Sequence, residues 1–267
     1  MGGIYVQELP NGTSREVEIT AWLDEDPDTP VTISQSSGAS EFAISPDGNE
    51  MAFVVRGEIY CVRTAGVGGV EAARLTDNPA RDWEISWYPR GDSILFTSDR
   101  SGVEQLYRVM SDDEEHERLS ESRRFRIERL TNTDDICTGA IIEPVPPDVE
   151  NQPSAEDVRI AYIQDTGDLW LMDGDGSDQR LLFEHWGTLN YSFSPDGRWI
   201  AYSRQDENYN VDVFITAVDP DDPELPPCPS EGWQPFPGTH RAIGLVPSWE
   251  DGEVNITRHP DDDWLPV

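Results

Sequence analysis

A short pattern recurs along this chain and sharply limits what it can fold into. EFAISPDGNEMAFVV begins at Glu41 and YSFSPDGRWIAYSR at Tyr191; EISWYPRGDSILFTSD at Glu84 is a third copy, with Tyr-Pro-Arg-Gly in place of Ser-Pro-Asp-Gly. Ser-Pro-Asp-Gly spells a type I turn, because Ser suits the first position, Pro fixes φ at the second and Gly closes the fourth. The runs on either side alternate in polarity or are β-branched and aromatic, as half-buried strands require. Each copy is followed by a third strand (EIYCVRT, QLYRVMS, DVFITAV) and then by a fourth ending in Leu-Thr or Ile-Thr (AARLTDNP, IERLTNTD, VNITRHPDD). A four-stranded sheet of this kind cannot bury both faces alone, so copies must stack. The expectation is an all-β protein, a β-propeller of four-stranded antiparallel blades.

A fourth copy is disguised. DGDGSDQRLLFE, from Asp173 to Glu184, has the ligand spacing of a calcium loop, with Asp173, Asp175 and Ser177 at loop positions 1, 3 and 5 and Glu184 at position 12. Position 6, where such a loop needs glycine, is Asp178. The longer stretch RIAYIQDTGDLWLMDGDGSDQRLLF instead matches strands two to four of the repeat, after a first strand AIIEPV and a Pro-rich insertion. DGDGSD then reads as the hairpin between strands three and four, and neither a metal site nor a cofactor is expected.

The repeats divide the chain into four near-complete blades, about 36–82, 83–135, 136–188 and 189–262. A partial blade is expected at 1–35 and the start of another at 263–267, making 1–267 a single propeller domain or a segment of a longer one. Two insertions, 111–126 and 219–253, lengthen the links between strands three and four of the second and last blades; both are polar or Pro-rich and are expected to be surface loops.

The stretches SFSPDGRWIAYSRQDENYNVDVFITAV, ITRHPDDDWLPV and FAISPDGNEMAFVVRGEIYCVRT followed by RLTDNP resemble the N-terminal propeller of tricorn-type proteases. TolB-type propellers and prolyl-oligopeptidase relatives carry similar Ser-Pro-Asp-Gly blades. The tricorn resemblance implies a six-bladed propeller that gates or guides peptides to a serine peptidase domain borne elsewhere. It also implies partners among peptides or protein substrates and the remaining domains of the same polypeptide, with a possible homo-oligomer. The alternatives are a stand-alone TolB-like interaction scaffold and the gate propeller of a prolyl-oligopeptidase-like enzyme. No catalytic residue is carried over.

Charge narrows the partners. Against 53 acidic residues stand 19 basic ones, all Arg, for a net charge of −34. Such a surface repels nucleic acid and anionic membranes, so neither nucleic-acid binding nor membrane insertion is expected. Low Lys with high acidity suits solubility in concentrated salt. The N-terminus has no basic region followed by an apolar one, so a cytoplasmic location is expected, with a periplasmic or secreted one as the alternative if the natural protein begins earlier. Cys61, Cys137 and Cys228 lie far apart and read as free thiols, with Cys61 in the core.

No G-x-S-x-G pentapeptide occurs, and His116, His185, His240 and His259 are scattered over loops and strand ends without zinc spacing. Arg90-Gly91-Asp92 occupies a repeat turn, so turn chemistry explains it. Trp87, Trp170, Trp199 and Trp264 fall at repeat-related positions and are expected to pack between blades. The one dense basic cluster is Arg123, Arg124 and Arg126. These are the candidate peptide-binding residues, because Arg forks suit carboxylates; the competing expectation is local pairing with the preceding SDDEEHE run.

Overall fold

A computed structural model of the protein describes residues 5–7, 12–17, 37–65, 71–145, 149, 151–184, 186, 190–205, 211–219 and 253–255. The chain falls into two units, Met1–Ser37 and Gly38–Val267. In the first, Tyr5–Gln7 (β1) and Ser14–Glu16 (β2) pair antiparallel.

Among its described residues the second unit carries four four-stranded antiparallel sheets, each with its strands in sequence order. The first contains Ala39–Ile44 (β3), Glu50–Val55 (β4), Glu58–Arg63 (β5) and Ala73–Arg74 (β6). The second contains Asp82–Trp87 (β7), Ser93–Ser98 (β8), Gln105–Ser111 (β9) and Phe125–Arg129 (β10). The third contains Cys137–Ile142 (β11), Arg159–Gln164 (β12), Asp168–Asp173 (β13) and Arg180–Phe183 (β14). The fourth contains Asn190–Phe193 (β15), Trp199–Gln205 (β16), Val211–Ala217 (β17) and Glu253–Asn255 (β18). The fold is all-β, built of β-propeller blades.

The repeated turn explains its own sequence. Gly48 donates to the Ser45 carbonyl at 2.8 Å and takes a φ of +71°, which only glycine adopts at no steric cost. The Ser45 hydroxyl donates to Asp47 at 2.7 Å and accepts the Glu50 amide at 2.9 Å, and Asp47 accepts the Asn49 amide at 3.0 Å. Ser194, Asp196 and Trp199 repeat this arrangement in the fourth sheet. In the second sheet Tyr88 replaces the serine. The turn itself survives, with Gly91 donating to the Tyr88 carbonyl at 2.9 Å, and Arg90-Gly91-Asp92 lies within or beside it.

Three apolar clusters lie between successive sheets. Ala52, Val54, Ile59 and Cys61 on the back of the first sheet meet Trp87, Ile94, Phe96 and Tyr107 on the front of the second. Leu95 and Leu106 likewise meet Ile160, Tyr162 and Met172, while Ala161, Leu169 and Leu171 meet Phe193, Ile200, Tyr202 and Phe214. Each front face carries an aromatic pair across its middle strands. Phe53 and Tyr60 stack at 5.8 Å, Phe96 and Tyr107 at 5.7 Å, and Tyr202 and Phe214 at 5.7 Å. Tyr162 and Trp170 are direct cross-strand partners in the third sheet. Cross-strand aromatic pairs are favourable units of sheet packing.

First strands are also tied to one another. The Glu41 carboxylate accepts the Ile85 amide at 3.2 Å, and Trp87 Nε1 donates to the Ala43 carbonyl at 3.0 Å. One sheet further on, the Glu84 carboxylate accepts the Gly139 amide at 2.9 Å and the Thr97 hydroxyl at 2.7 Å. Trp87 therefore packs between blades; Trp170 lines the second cluster, and Trp264 lies outside the described residues. Cys61 and Cys137 are free and buried, and Cys228 lies outside the described residues. Desolvation, reinforced by the Glu50 carboxylate, pushes the Cys61 thiol far up, so it packs as a small apolar group.

The first insertion departs from expectation. It does not simply cover the surface, because Leu119 is fully buried within the first cluster. Leu119 is the single apolar residue between Ser111 and Arg124, and burying it turns a polar loop into an anchored one. The second insertion, apart from Asp219 and Glu253, lies outside the described residues.

Candidate peptide-binding rim

In antiparallel sheets the turn between strands one and two and the link between strands three and four fall at the same end. The link between β9 and β10, residues 112–124, therefore stands on the rim that carries the Ser-Pro-Asp-Gly turns. It crosses to the turn of the preceding sheet as a strap. The Ser120 amide donates to Glu50 Oε1 at 2.7 Å, and Arg118 lies 3.7 Å from Glu50 Oε2 and donates to Asp47 Oδ2 at 3.1 Å. Arg63 and Glu121 pair at 2.9 Å. Glu50 is only 1% exposed, so these bonds stand in for the water that its carboxylate gives up on burial.

Internal bonds hold the strap's shape. Asp112 donates to the Arg124 carbonyl at 2.8 Å, and the Ser111 hydroxyl donates to the His116 carbonyl at 2.7 Å. The Asp113 carboxylate accepts the amides of Glu115 at 3.1 Å and Arg123 at 3.3 Å. Desolvation is the largest single influence on Asp113 and opposes its charge, but these amides and His116 together outweigh it and hold the carboxyl below the usual range. Desolvation likewise opposes Asp47, but Ser45, Asn49 and Arg118 hold it well below the usual aspartate value.

The three candidate arginines end in different places. Arg126 stands on β10 and is engaged, with Nε 3.4 Å from Glu128 and an NH2 group 3.0 Å from the Met110 sulfur. Arg123 and Arg124 are exposed at the end of the strap, and among the described residues neither guanidinium makes an ion pair. The links to the SDDEEHE run are through backbone, the Arg123 amide and the Arg124 carbonyl, not through either guanidinium. Sequence reasoning missed Glu50, Arg118 and Leu119. Leu119 carried a signal, as an isolated apolar residue in a charged run; Glu50 and Arg118 carried none.

The DGDGSD stretch begins on Asp173, the last residue of β13, and the link that follows it to β14, residues 174–179, is built for close packing. The Tyr88 hydroxyl donates to the Gly174 carbonyl at 2.5 Å, and Gln179 donates to the carbonyls of Leu130 at 2.8 Å and Gly176 at 2.9 Å. A Cβ on Gly174 would lie 2.4 Å from the Ala155 oxygen; on Gly176, at φ +90°, it would lie 3.0 Å from the Leu130 oxygen. The Ser177 hydroxyl and amide hold the Asp175 carboxyl below its usual range. Its acids serve the turn.

Beside this hairpin Arg159, Asp173, Asp178, Arg180 and Asp219 line a cleft of about 400 Å³. Its cations are already engaged. Arg159 grips Glu143 with two bonds of 2.7 Å and reaches the Gly197 carbonyl at 3.1 Å, while Arg180 donates to the Val218 carbonyl. Arg123 and Arg124 are therefore the better placed to meet an outside anion. Of the histidines, only His116 is described, with Nδ1 3.4 Å from Asp113. Among the described residues no His, Cys, Asp and Glu cluster of metal-binding size occurs, and no helix is long and apolar enough to cross a membrane.

No protein-family model matches the chain. It is 28% identical over 165 residues to an uncharacterised protein of Agrobacterium fabrum, covering 60% of this chain and 53% of that protein. The chain thus spans about half the length of that relative. Over 52 residues it is 48% identical to the Tol-Pal system protein TolB of Bordetella pertussis, a match covering 20% of this chain and 11% of TolB. Among solved structures, oligogalacturonate lyase in complex with manganese shares the fold at a TM-score of 0.52 and 14% identity, covering 70% of this chain and 52% of that one. TolB from Acinetobacter baumannii aligns at 0.48 and 22%, covering 81% and 46%. The likeness to oligogalacturonate lyase bears on the fold alone and agrees with the β-propeller blades described above.

Proposed function

We propose that this chain acts by binding peptide or protein segments at the strap-bearing rim, as a TolB-like interaction scaffold. The observation that carries the reading is the pair Arg123 and Arg124, exposed and, among the described residues, without ion pairs on a strap anchored to the neighbouring blade. A fixed strap presents the two guanidiniums with little further ordering cost, which favours binding. Arg forks select planar carboxylates.

The overall charge of −34 sets the rest of the partner's chemistry. It repels an acidic peptide body and attracts a basic one. The fitting ligand is a neutral or basic segment that ends in a free carboxylate. Guiding such peptides to the catalytic domain of a tricorn-like serine peptidase is the finer form of the same reading.

The test is fluorescence polarisation with a labelled eight-residue peptide of Ala, Gly and Lys, compared with its C-terminal amide. The carboxylate form should bind at least tenfold more tightly, and Arg123→Ala with Arg124→Ala should abolish that difference. Equal binding of both forms, or an unchanged preference in the double variant, would remove the Arg pair from the function.

A further inference from the structure

The links that leave the fourth strands of the first two sheets are built alike, and one exchange of charge sets them apart. In the first, the Ile59 amide donates to the Thr76 hydroxyl at 2.9 Å and the Asn78 amide to Glu58 at 3.2 Å. In the second, the Leu106 amide donates to the Thr131 hydroxyl at 2.9 Å and the Thr133 amide to Gln105 at 3.2 Å. An arginine closes each link: Arg74 Nε donates to the Thr76 carbonyl at 2.9 Å, and Arg129 Nε to the Thr131 carbonyl at 2.6 Å. Arg74 is neutralised, with an NH2 group 3.1 Å from Glu58 and 2.7 Å from Asp77. At the two matching positions of the second sheet stand neutral amides, Gln105 and Asn132. Arg129 is exposed, and among the described residues it makes no ion pair, in a chain of net charge −34.

With Ser101, Val103, Asn132, Thr133 and Asp134, Arg129 lines a cleft of about 400 Å³. The cleft lies where the turn between β8 and β9 meets the link from β10 to β11, at the end of the sheet opposite the strap. Gln105 also shapes it. This buried side chain donates to the carbonyls of Glu104 at 2.9 Å and Asp135 at 2.7 Å, and Gln164 donates to Asp135 Oδ2 at 3.0 Å. These bonds hold the wall that carries Thr133 and Asp134, which lowers the ordering cost of binding. Asp134 is exposed and, among the described residues, makes no ion pair either.

We infer that this cleft binds a small zwitterion of the α-amino-acid class, with its carboxylate on Arg129 and its ammonium on Asp134. An Arg fork suits a planar carboxylate. A bare anion would be repelled by the acidic chain as a whole, whereas a zwitterion carries no net charge and meets a partner in Asp134 as well. The hydroxyls of Ser101 and Thr133 and the Asn132 amide offer further hydrogen bonds. The site shares no residue with the strap, so it stands or falls apart from the peptide reading.

Amide-detected NMR titration of the full chain with L-alanine, L-leucine and L-glutamine in turn tests the inference; the C-terminal amide and the N-acetyl form of each lack one charge and serve as controls. At least one amino acid should give saturable shifts at Ser101, Thr133 and Asp134, and both its derivatives should bind at least tenfold more weakly. Arg129→Ala should weaken binding about tenfold or more, the loss expected for a hydrogen bond to a charged group. Asn132→Asp restores the carboxylate that Asp77 supplies to Arg74, so it should do the same while leaving the rest of the spectrum in place. Arg123→Ala with Arg124→Ala should change nothing. The inference is overturned by the absence of saturable shifts with all three, by equal binding of either derivative, by undiminished binding in Arg129→Ala or Asn132→Asp, or by loss of binding in the strap double variant.

Discussion

The strap at 112–124 and the hairpin at 174–179 occupy the same place in neighbouring sheets, between strands three and four, and both are acidic. They solve opposite problems. The hairpin uses glycines to bring its backbone against Ala155, Tyr88 and Leu130, so it is spent on blade contact. The strap reaches its neighbour through one leucine and a carboxylate–arginine latch, and leaves Arg123 and Arg124 facing solvent. A link that packs by backbone leaves only short acidic, hydroxyl and amide side chains outside, none of them a cation for a carboxylate. One that is pinned at a few side chains leaves two.

The largest blow to this contrast is Leu119→Ala. Removing a fully buried leucine costs about 3 kcal/mol through lost burial and a residual cavity, and urea unfolding should show it. Gly174→Ala strikes the other link. Its Cβ would sit 2.4 Å from a backbone oxygen, and overpacking of that kind costs about 2 kcal/mol; the same titration checks it.

Arg118→Ala is smaller, about 1 kcal/mol, because the arginine is 40% exposed and solvent screens its pairs. This loss should depend on pH. The folded pKa of Asp47 is depressed, so its share of the latch is fully present above the unfolded aspartate value of about 3.9. It fades as pH falls below that value towards the folded one. The difference in midpoint between wild type and Arg118→Ala should therefore shrink on acidification below about pH 4. A difference that stays constant would take Asp47 out of the latch.

The smallest expected effect on stability is that of Arg123→Ala with Arg124→Ala, within about 0.5 kcal/mol, since surface substitutions away from packed features rarely exceed that. A large loss would show that the pair is structural.

How much of this could be read in advance follows from what each residue responds to. The blades were legible because strand alternation and the Pro-Asp-Gly turn are local rules, written in adjacent residues. The hairpin at Asp173 was legible only by alignment with the repeat, since its own composition also suits a calcium loop. Tyr88 was visible as a departure from serine, yet its role was not, because the Gly174 carbonyl that it meets is 86 residues away. The strap was hidden for the same reason. Glu50 sits in an ordinary strand position, and only its burial beside Ser120 and Arg118 makes it an anchor. Local patterns specify elements; the contacts between blades choose which polar residues are consumed and which remain free.

Hydrogen–deuterium exchange of the full chain, with and without the carboxylate-ended peptide, tests the central claim most directly. Slower exchange within 112–124, with 174–179 unchanged, is the predicted result. Protection at 174–179 with the strap unaffected would contradict it.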